Sequence, residues 1–166
     1  MLIREVQPED AENFICLVKR VESEAKFMLM SAGERKTTQE QQRKQLEHFK
    51  QQSNSTIFVA EQEKGKLVGY LIAIGGSVKR TNHSAYLVIG ILEDYRGRGI
   101  GTSLFQRLEE WAIGSTISRL ELTVVTKNEA GIALYKKNGF EIEGIKRKSL
   151  KVDEEFYNEY FMSKLF

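Results

Sequence analysis

Cysteine, proline, tryptophan and histidine are nearly missing from this chain of 166 residues, which holds one Cys, one Pro, one Trp and two His. A single cysteine, Cys16, can form no internal disulfide and no zinc cluster. Two histidines far apart in the chain add no metal site. Cys16 stands among Phe14, Ile15, Leu17 and Val18, so it is expected as a packed core thiol rather than a nucleophile. Charge of one sign is scarce as well. Lys and Arg number 25 against 23 Asp and Glu, and the formal net charge of +2 argues against a nucleic-acid or anionic-membrane partner. No apolar run approaches the ~18 residues of a membrane-spanning helix, and Met1-Leu2-Ile3-Arg4-Glu5 lacks a signal-peptide pattern. A cytoplasmic protein is expected. The 41% hydrophobic and 29% charged residues are globular composition, and residues 1–166 are expected to form a single domain that buries its own core.

Periodicity divides the chain into alternating elements. Leu2 to Val6 reads as a strand, and Pro8-Glu9-Asp10 suits a helix start, with proline and acids in the first turn. Ala11, Phe14, Ile15, Val18 and Val21 recur at helical spacing. Ala25 to Lys36 is irregular, and Thr38-Gln39-Glu40-Gln41 then fits a capping box that opens a polar helix to about Gln52. Thr56 to Glu61 and Leu67 to Ile74 form a hairpin around the turn Glu63-Lys64-Gly65-Lys66. His83 to Leu92 is a long strand, and Ile100, Leu104, Leu108, Trp111 and Ala112 mark a helix face after it. Arg119 to Val125 is a buried strand, Asn128 to Asn138 a helix stopped by Gly139, and Phe140 to Leu150 with Phe156 to Leu165 an antiparallel pair.

The densest signal is Tyr95-Arg96-Gly97-Arg98-Gly99-Ile100-Gly101-Thr102, between an apolar strand and an amphipathic helix. Glycines let backbone N–H groups approach a ligand closely. The first N–H groups of a helix lack intrahelical partners and carry partial positive charge. Such a turn is an anion site, and phosphate is its usual occupant. Gly101-Thr102-Ser103 has no lysine, which removes a Walker A loop. Gly97 and Gly99 fit the dinucleotide fingerprint, but Thr102 stands where its last glycine belongs, and no βαβ repeat opens the chain. A turn that merely starts a helix would not need three glycines, each costly in backbone entropy.

Arg96-Gly97-Arg98-Gly99-Ile100-Gly101 resembles the Arg/Gln-x-x-Gly-x-Gly/Ala signature of the GNAT superfamily of N-acetyltransferases. Leu87 to Tyr95 is similar to that family's fourth strand, and Asn128-Glu129-Ala130-Gly131-Ile132-Ala133-Leu134-Tyr135-Lys136-Lys137-Asn138-Gly139-Phe140 to its Asn-x-x-Ala-x-x-Leu-Tyr-x-x-x-Gly-Phe segment. The resemblance runs from about Thr56 to Phe140 and, more weakly, over Ile3 to Val21 and the C-terminal pair. With the element order it implies an α+β fold, a mixed, mostly antiparallel central sheet of about six to seven strands flanked by about four helices. It implies an enzyme that moves an acetyl group from acetyl-CoA directly to a primary amine of a small molecule, polyamine or protein N-terminus. The rival is a catalytically silent acyl-CoA-binding or sensor module, which would have no need of the leaving-group acid the family places at Tyr135. Dimers are common in the family, but no stripe in this sequence marks a homodimer face.

The resemblance also implies roles. The cofactor pyrophosphate would lie on N–H groups from Arg98 to Thr102, so Arg96, Gly97, Arg98, Gly99, Ile100, Gly101 and Thr102 are the candidate phosphate-side residues. The pantetheine arm would pair with the backbone of Ile89, Gly90 and Ile91, with an N–H near Ile91 polarising the thioester carbonyl. A glycine inside a strand marks a bulge or a close backbone approach, and the family parts its fourth and fifth strands near this point. Arg96 and Arg98 either pair with phosphates or stay solvated. Tyr135 is the candidate general acid, with a core aromatic as the alternative, and Asn128 a cofactor contact, a helix N-cap or both. Glu121, which shares a strand face with Thr123 and Val125, is the candidate base, against a cross-strand charge partner. His83 is a candidate relay or a solvated strand end. Glu22 and Glu24 either draw a cationic amine or are helix-surface charge. Ala25 to Lys36 is expected to line the acceptor site. No metal is implied.

Overall fold

The computed structural model describes the backbone of residues 1–166 and every side chain except that of Lys64. Seven strands form one sheet in the order β1-β2-β3-β4-β5-β7-β6. They are β1 (Leu2–Glu5), β2 (Thr56–Gln62), β3 (Lys66–Gly75), β4 (Ser84–Ile91), β5 (Arg119–Val125), β6 (Glu141–Val152) and β7 (Glu155–Leu165). Only β4 and β5 run parallel; every other neighbouring pair is antiparallel. A parallel pair needs a crossover, and α3 (Ile100–Ile113) supplies it. The other helices are α1 (Ala11–Glu24), α2 (Gln39–Gln51) and α4 (Glu129–Lys137). The expected mixed, mostly antiparallel sheet with four helices is therefore the observed fold.

Local chemistry accounts for the element ends. The Thr38 hydroxyl accepts from Gln41 N–H (3.2 Å) while Thr38 N–H donates to the Gln41 side chain (2.9 Å), so the capping box is closed. Gly139 takes φ +89°, the left-handed stop that ends α4. The turn between β6 and β7 puts Asp153 and Glu154 at φ +50° and +64°, the backbone a two-residue hairpin requires.

The two helical layers lie on opposite sides of the sheet. Phe14 of α1 packs edge-to-face on Tyr70 of β3 at 5.7 Å, and Tyr70 shares a face with Val59 by register. Arg107 of α3 lies over Phe58, the next residue along β2 and hence on the other face. Phe14, Leu17, Val18 and Val21 fill the first side; Leu104, Phe105, Leu108 and Ala112 fill the second. Cys16 departs from expectation, because it is exposed. Two residues on from Phe14 is about 200° around a helix, so apolar neighbours in sequence do not bring Cys16 to the buried face.

Candidate active site at the parting of β4 and β5

β4 and β5 pair over only three positions, Ser84–Arg119, Ala85–Leu120 and Tyr86–Glu121. Beyond them β4 continues along β3 to Ile91, while β5 continues along β7 to Val125. The sheet is thus open from Leu87 onward. The gap starts three residues before Gly90, with Tyr86 Oη and Thr123 Oγ1 bonded at 2.9 Å across its closed end. Along the gap the facing edges of both strands keep N–H and C=O groups that no strand pairs, and these suit an extended, amide-rich ligand.

Gly90 is explained by a protein side chain. A Cβ there would stand 2.7 Å from Cε1 and Cζ of Tyr70 and 2.8 Å from its hydroxyl. β3 and β4 stay in register through this pair, so there is no bulge. Of the two readings of a strand glycine, close approach holds, but the approaching group is the buried Tyr70 ring. Burial pushes the Tyr70 phenol well above the ordinary tyrosine range.

At the open end of β4 lies the glycine turn. A 3-10 turn at Glu93–Tyr95 follows the strand, and Glu24 of α1 holds it by accepting from Glu93 N–H at 2.7 Å. Gly97 and Gly99 take φ +71° and +80°, and a Cβ on either would meet open space. These glycines are needed for their backbone conformation. Gly99 is the N-cap of α3 and caps with no side chain, so the first N–H groups of α3 have neither an intrahelical nor a side-chain capping partner. Gly101 is needed for packing instead, since its Cβ would come within 2.8 Å of Leu134 on α4. This cradle fits a phosphate group. The arginines are placed less directly. Arg96 Nε donates to the Ile91 carbonyl at 3.1 Å, and Arg98 lies over the Tyr95 ring at 5.2 Å.

Tyr135 enters the gap from the α3–α4 side. Its ring packs edge-to-face with Phe105 at 5.8 Å and Phe140 at 6.3 Å. Burial pushes its phenol up to about 12, and the nearby Tyr86 hydroxyl adds to the shift. It is both the core aromatic and a protonated phenol at the gap. Asn128 Oδ1 accepts from Gly131 N–H at 3.0 Å, which makes it the N-cap of α4; this bond leaves its amide N–H groups for other contacts.

Several candidates sit elsewhere or are already engaged. Glu121 pairs with Arg119 Nε at 2.9 Å, and Arg119 also holds Glu143 at 2.7 Å. Glu121 lies level with Tyr86, four residues and about 13 Å below Gly90 along the strand. His83 is exposed before the closed end, its carbonyl accepting from Ser118 and Arg119 N–H. Glu22, only 4% exposed, is held by Arg35 through three contacts of 2.8–3.1 Å. Glu24, besides Glu93 N–H, pairs with Arg20 at 2.9 Å, and these bonds hold its carboxyl below the usual range. Neither glutamate presents a free charge to an amine. The Ala25 to Lys36 segment is anchored on α1 and β7. Arg35 reaches Glu22 from it, and Phe27 packs on Tyr157 of β7 at 4.9 Å.

Three site features carry no plain signal in the sequence: the Tyr70 ring over Gly90, the Tyr86–Thr123 bond, and a nearly buried carboxylate, Glu159 on β7. The alternation Tyr157-Asn158-Glu159-Tyr160-Phe161 puts Glu159 on the face of two aromatics.

Comparison with known proteins agrees with this geometry. Residues 23–140 match the model of the acetyltransferase (GNAT) family. The chain is 31% identical over 102 residues to the L-amino acid N-acetyltransferase AaaT of Escherichia coli (strain K12), covering 61% of this chain and 63% of that protein. It is 37% identical over 97 residues to the N-alpha-acetyltransferase RimI of Mycobacterium tuberculosis (strain ATCC 25618 / H37Rv), covering 57% and 58%. The matches therefore span about three fifths of each of these relatives. A crystal structure of an acetyltransferase of the GNAT family from Streptococcus pneumoniae superposes with a TM-score of 0.96 at 33% identity, covering 99% of both chains.

Proposed function

The chain belongs to the acetyltransferase (GNAT) family, and from that premise we propose that it is an acetyl-CoA-dependent N-acetyltransferase acting on a primary amine. The observation that carries this reading is one juxtaposition. An uncapped helix N-terminus with two left-handed glycines stands at the open end of a parted strand pair that has a protonated phenol beside it. The N–H groups from Arg98 to Thr102 suit the pyrophosphate, the free edge of Ile89 to Ile91 suits the pantetheine amides, and the Asn128 amide is a further donor. When bound, acetyl-CoA supplies the thioester, whose C–S bond breaks as the amine nitrogen bonds to the acetyl carbon.

In this reading the chain's own groups orient and stabilise. An N–H near Ile91 polarises the carbonyl. Tyr135, held near 12, keeps its proton and donates a hydrogen bond toward the departing sulfur. Outright transfer to a sulfur of ordinary thiol pKa, about 8.5, would run uphill, so stabilising the developing charge is its main contribution. Glu121, the candidate base, is tied to Arg119, which favours water as the carrier of the amine proton. The names of the two curated relatives, one for L-amino acids and one for N-alpha groups, put α-amino groups first among the acceptors, ahead of polyamines. Residues 1–166 act as one domain, in the cytoplasm, and the reading holds for a monomer or a homodimer.

Titration of the purified protein with acetyl-CoA, followed by coenzyme A release over a panel of amino acids, peptides and polyamines, tests this. Saturable binding with turnover of at least one amine is expected. Binding without turnover leaves an acyl-CoA-binding module, and no binding at millimolar acetyl-CoA overturns the reading.

A further inference from the structure

Glu159 lies opposite Gly90 across the gap. β4 and β5 are offset by 35 positions where they pair; counted on along both strands, that offset matches Val125 to Gly90 across the gap, and Val125 pairs with Glu159 on β7. Parallel and antiparallel partners share a face. Glu159 therefore looks out on the same side of the sheet as Tyr70, Tyr86 and Thr123, one strand beyond the gap.

Its surroundings are built. Residue exposure is 9%. The Ser149 hydroxyl donates to Oε1, and it reaches Glu159 because β6 changes register between Lys146 and Leu150, with Lys148 at φ +50° and its N–H bonded to Asn158 Oδ1 (2.9 Å). A bulge of this kind re-aims a side chain. Tyr157 and Phe161 flank Glu159 two residues either side on its own face. No ion pair within 4.0 Å engages the carboxylate among the described residues, although Lys146 stands opposite it in the β6–β7 register. No buried polar atom lacks a partner among those residues, so Oε2, which Ser149 does not bond, is not fully sealed from solvent. A carboxylate between aromatic rings with one free oxygen and no cation suits an organic ammonium ion. Beside it, Tyr86 and Phe161 are 38% and 46% exposed and offer an apolar surface.

We propose that Glu159 Oε2 receives the ammonium group of the acceptor opposite Gly90, and that the acceptor is an amine carried on an apolar or aromatic body laid against Tyr86 and Phe161. The inference rests on the acetyltransferase reading for its meaning, yet its test needs no acetyl-CoA. Benzylammonium and its neutral analogue benzyl alcohol are titrated into the wild-type protein and Glu159→Gln by NMR, with circular dichroism on both. Gln retains an acceptor for Ser149. Wild type is expected to bind benzylammonium about ten- to a hundredfold more tightly than the alcohol. Glu159→Gln should lose that preference while alcohol affinity stays the same. Equal affinity of wild type for the two probes, or a preference that survives the substitution, overturns the proposal. If the variant does not fold, the wild-type comparison alone decides. Failure of acetyl-CoA to bind, measured separately, would strike the acetyltransferase reading and leave this comparison standing.

Discussion

Gly90→Ala separates two explanations of a glycine at the centre of the site. The added methyl would sit 2.7–2.8 Å from the outer ring atoms and hydroxyl of Tyr70. That ring is 1% exposed and wedged against Phe14 at 5.7 Å, so it has little room to swing aside. Overpacking of this kind costs about 1–3 kcal/mol. Replacing glycine by alanine in a strand returns about 0.5–1 kcal/mol through reduced backbone entropy. The net loss is about 0–2.5 kcal/mol, centred a little above 1, and for a domain of this size the central value lowers Tm by about 2–5 °C. Urea denaturation gives the free energy and thermal melting the shift. Tyr70→Leu removes the ring and with it the clash, so Gly90→Ala should cost little in that background, a coupling of about 1 kcal/mol or more in the double-mutant cycle. The reasoning fails if Gly90→Ala melts with the wild type while acetyl-CoA affinity drops. That outcome would mean the glycine makes room for ligand backbone and that the Tyr70 ring yields freely.

Tyr135→Phe keeps the edge-to-face contacts with Phe105 and Phe140, so stability and acetyl-CoA affinity should stay close to wild type while kcat falls by about a hundredfold; calorimetry and steady-state assays with the best amine check both, and an unchanged kcat refutes the role. Asp10 is held below the usual carboxylate range chiefly by its hydrogen bonds from Arg4. Its folded pKa lies under its unfolded value of about 3.9, so its contribution is complete above that pH and disappears as pH falls through the folded value. Arg4→Ala should flatten the fall in stability on the acid side of pH 4, read from urea midpoints between about pH 2.5 and 6.

Residues whose requirement is local were readable from the chain, and residues whose requirement comes from a distant partner were not. Gly97 and Gly99 announce themselves because left-handed backbone selects glycine whatever surrounds it. The Thr38 box and the Gly139 stop are local in the same way. Gly90 was conspicuous, yet its reason lay in Tyr70, twenty positions earlier in the chain and adjacent only through the β3–β4 register. Glu22 and Glu24 looked like free charges at the end of α1. Glu22 is neutralised by Arg35 at the far end of an irregular segment, and Glu24, besides its pair with nearby Arg20, accepts from the Glu93 N–H, 69 residues on. Cys16 shows the converse: its apolar neighbours in sequence lie on the buried face of α1 while Cys16 itself is exposed.

The same distinction explains why the donor side of the site is more legible than the acceptor side. Phosphate and amide recognition rests on backbone N–H and C=O groups, which any sequence supplies once strand, turn and helix follow in the right order. Here that order is β4, the glycine turn and α3, all within residues 84–113. The proposed acceptor surface draws instead on side chains that the sheet gathers from β3, β4, β5, β7 and the Ala25 to Lys36 segment, a set spread from Phe27 to Phe161. Their chemistry appears only when the register is known. Glu121 and Glu159 are both strand glutamates of ordinary sequence context, but one is level with the closed end of the gap and bonded to Arg119, and the other is level with Gly90 and free at Oε2. A shift of one residue in the β5–β7 register would turn Glu159 to the opposite face. In the proposed site, acceptor specificity therefore depends on strand register more than on any motif.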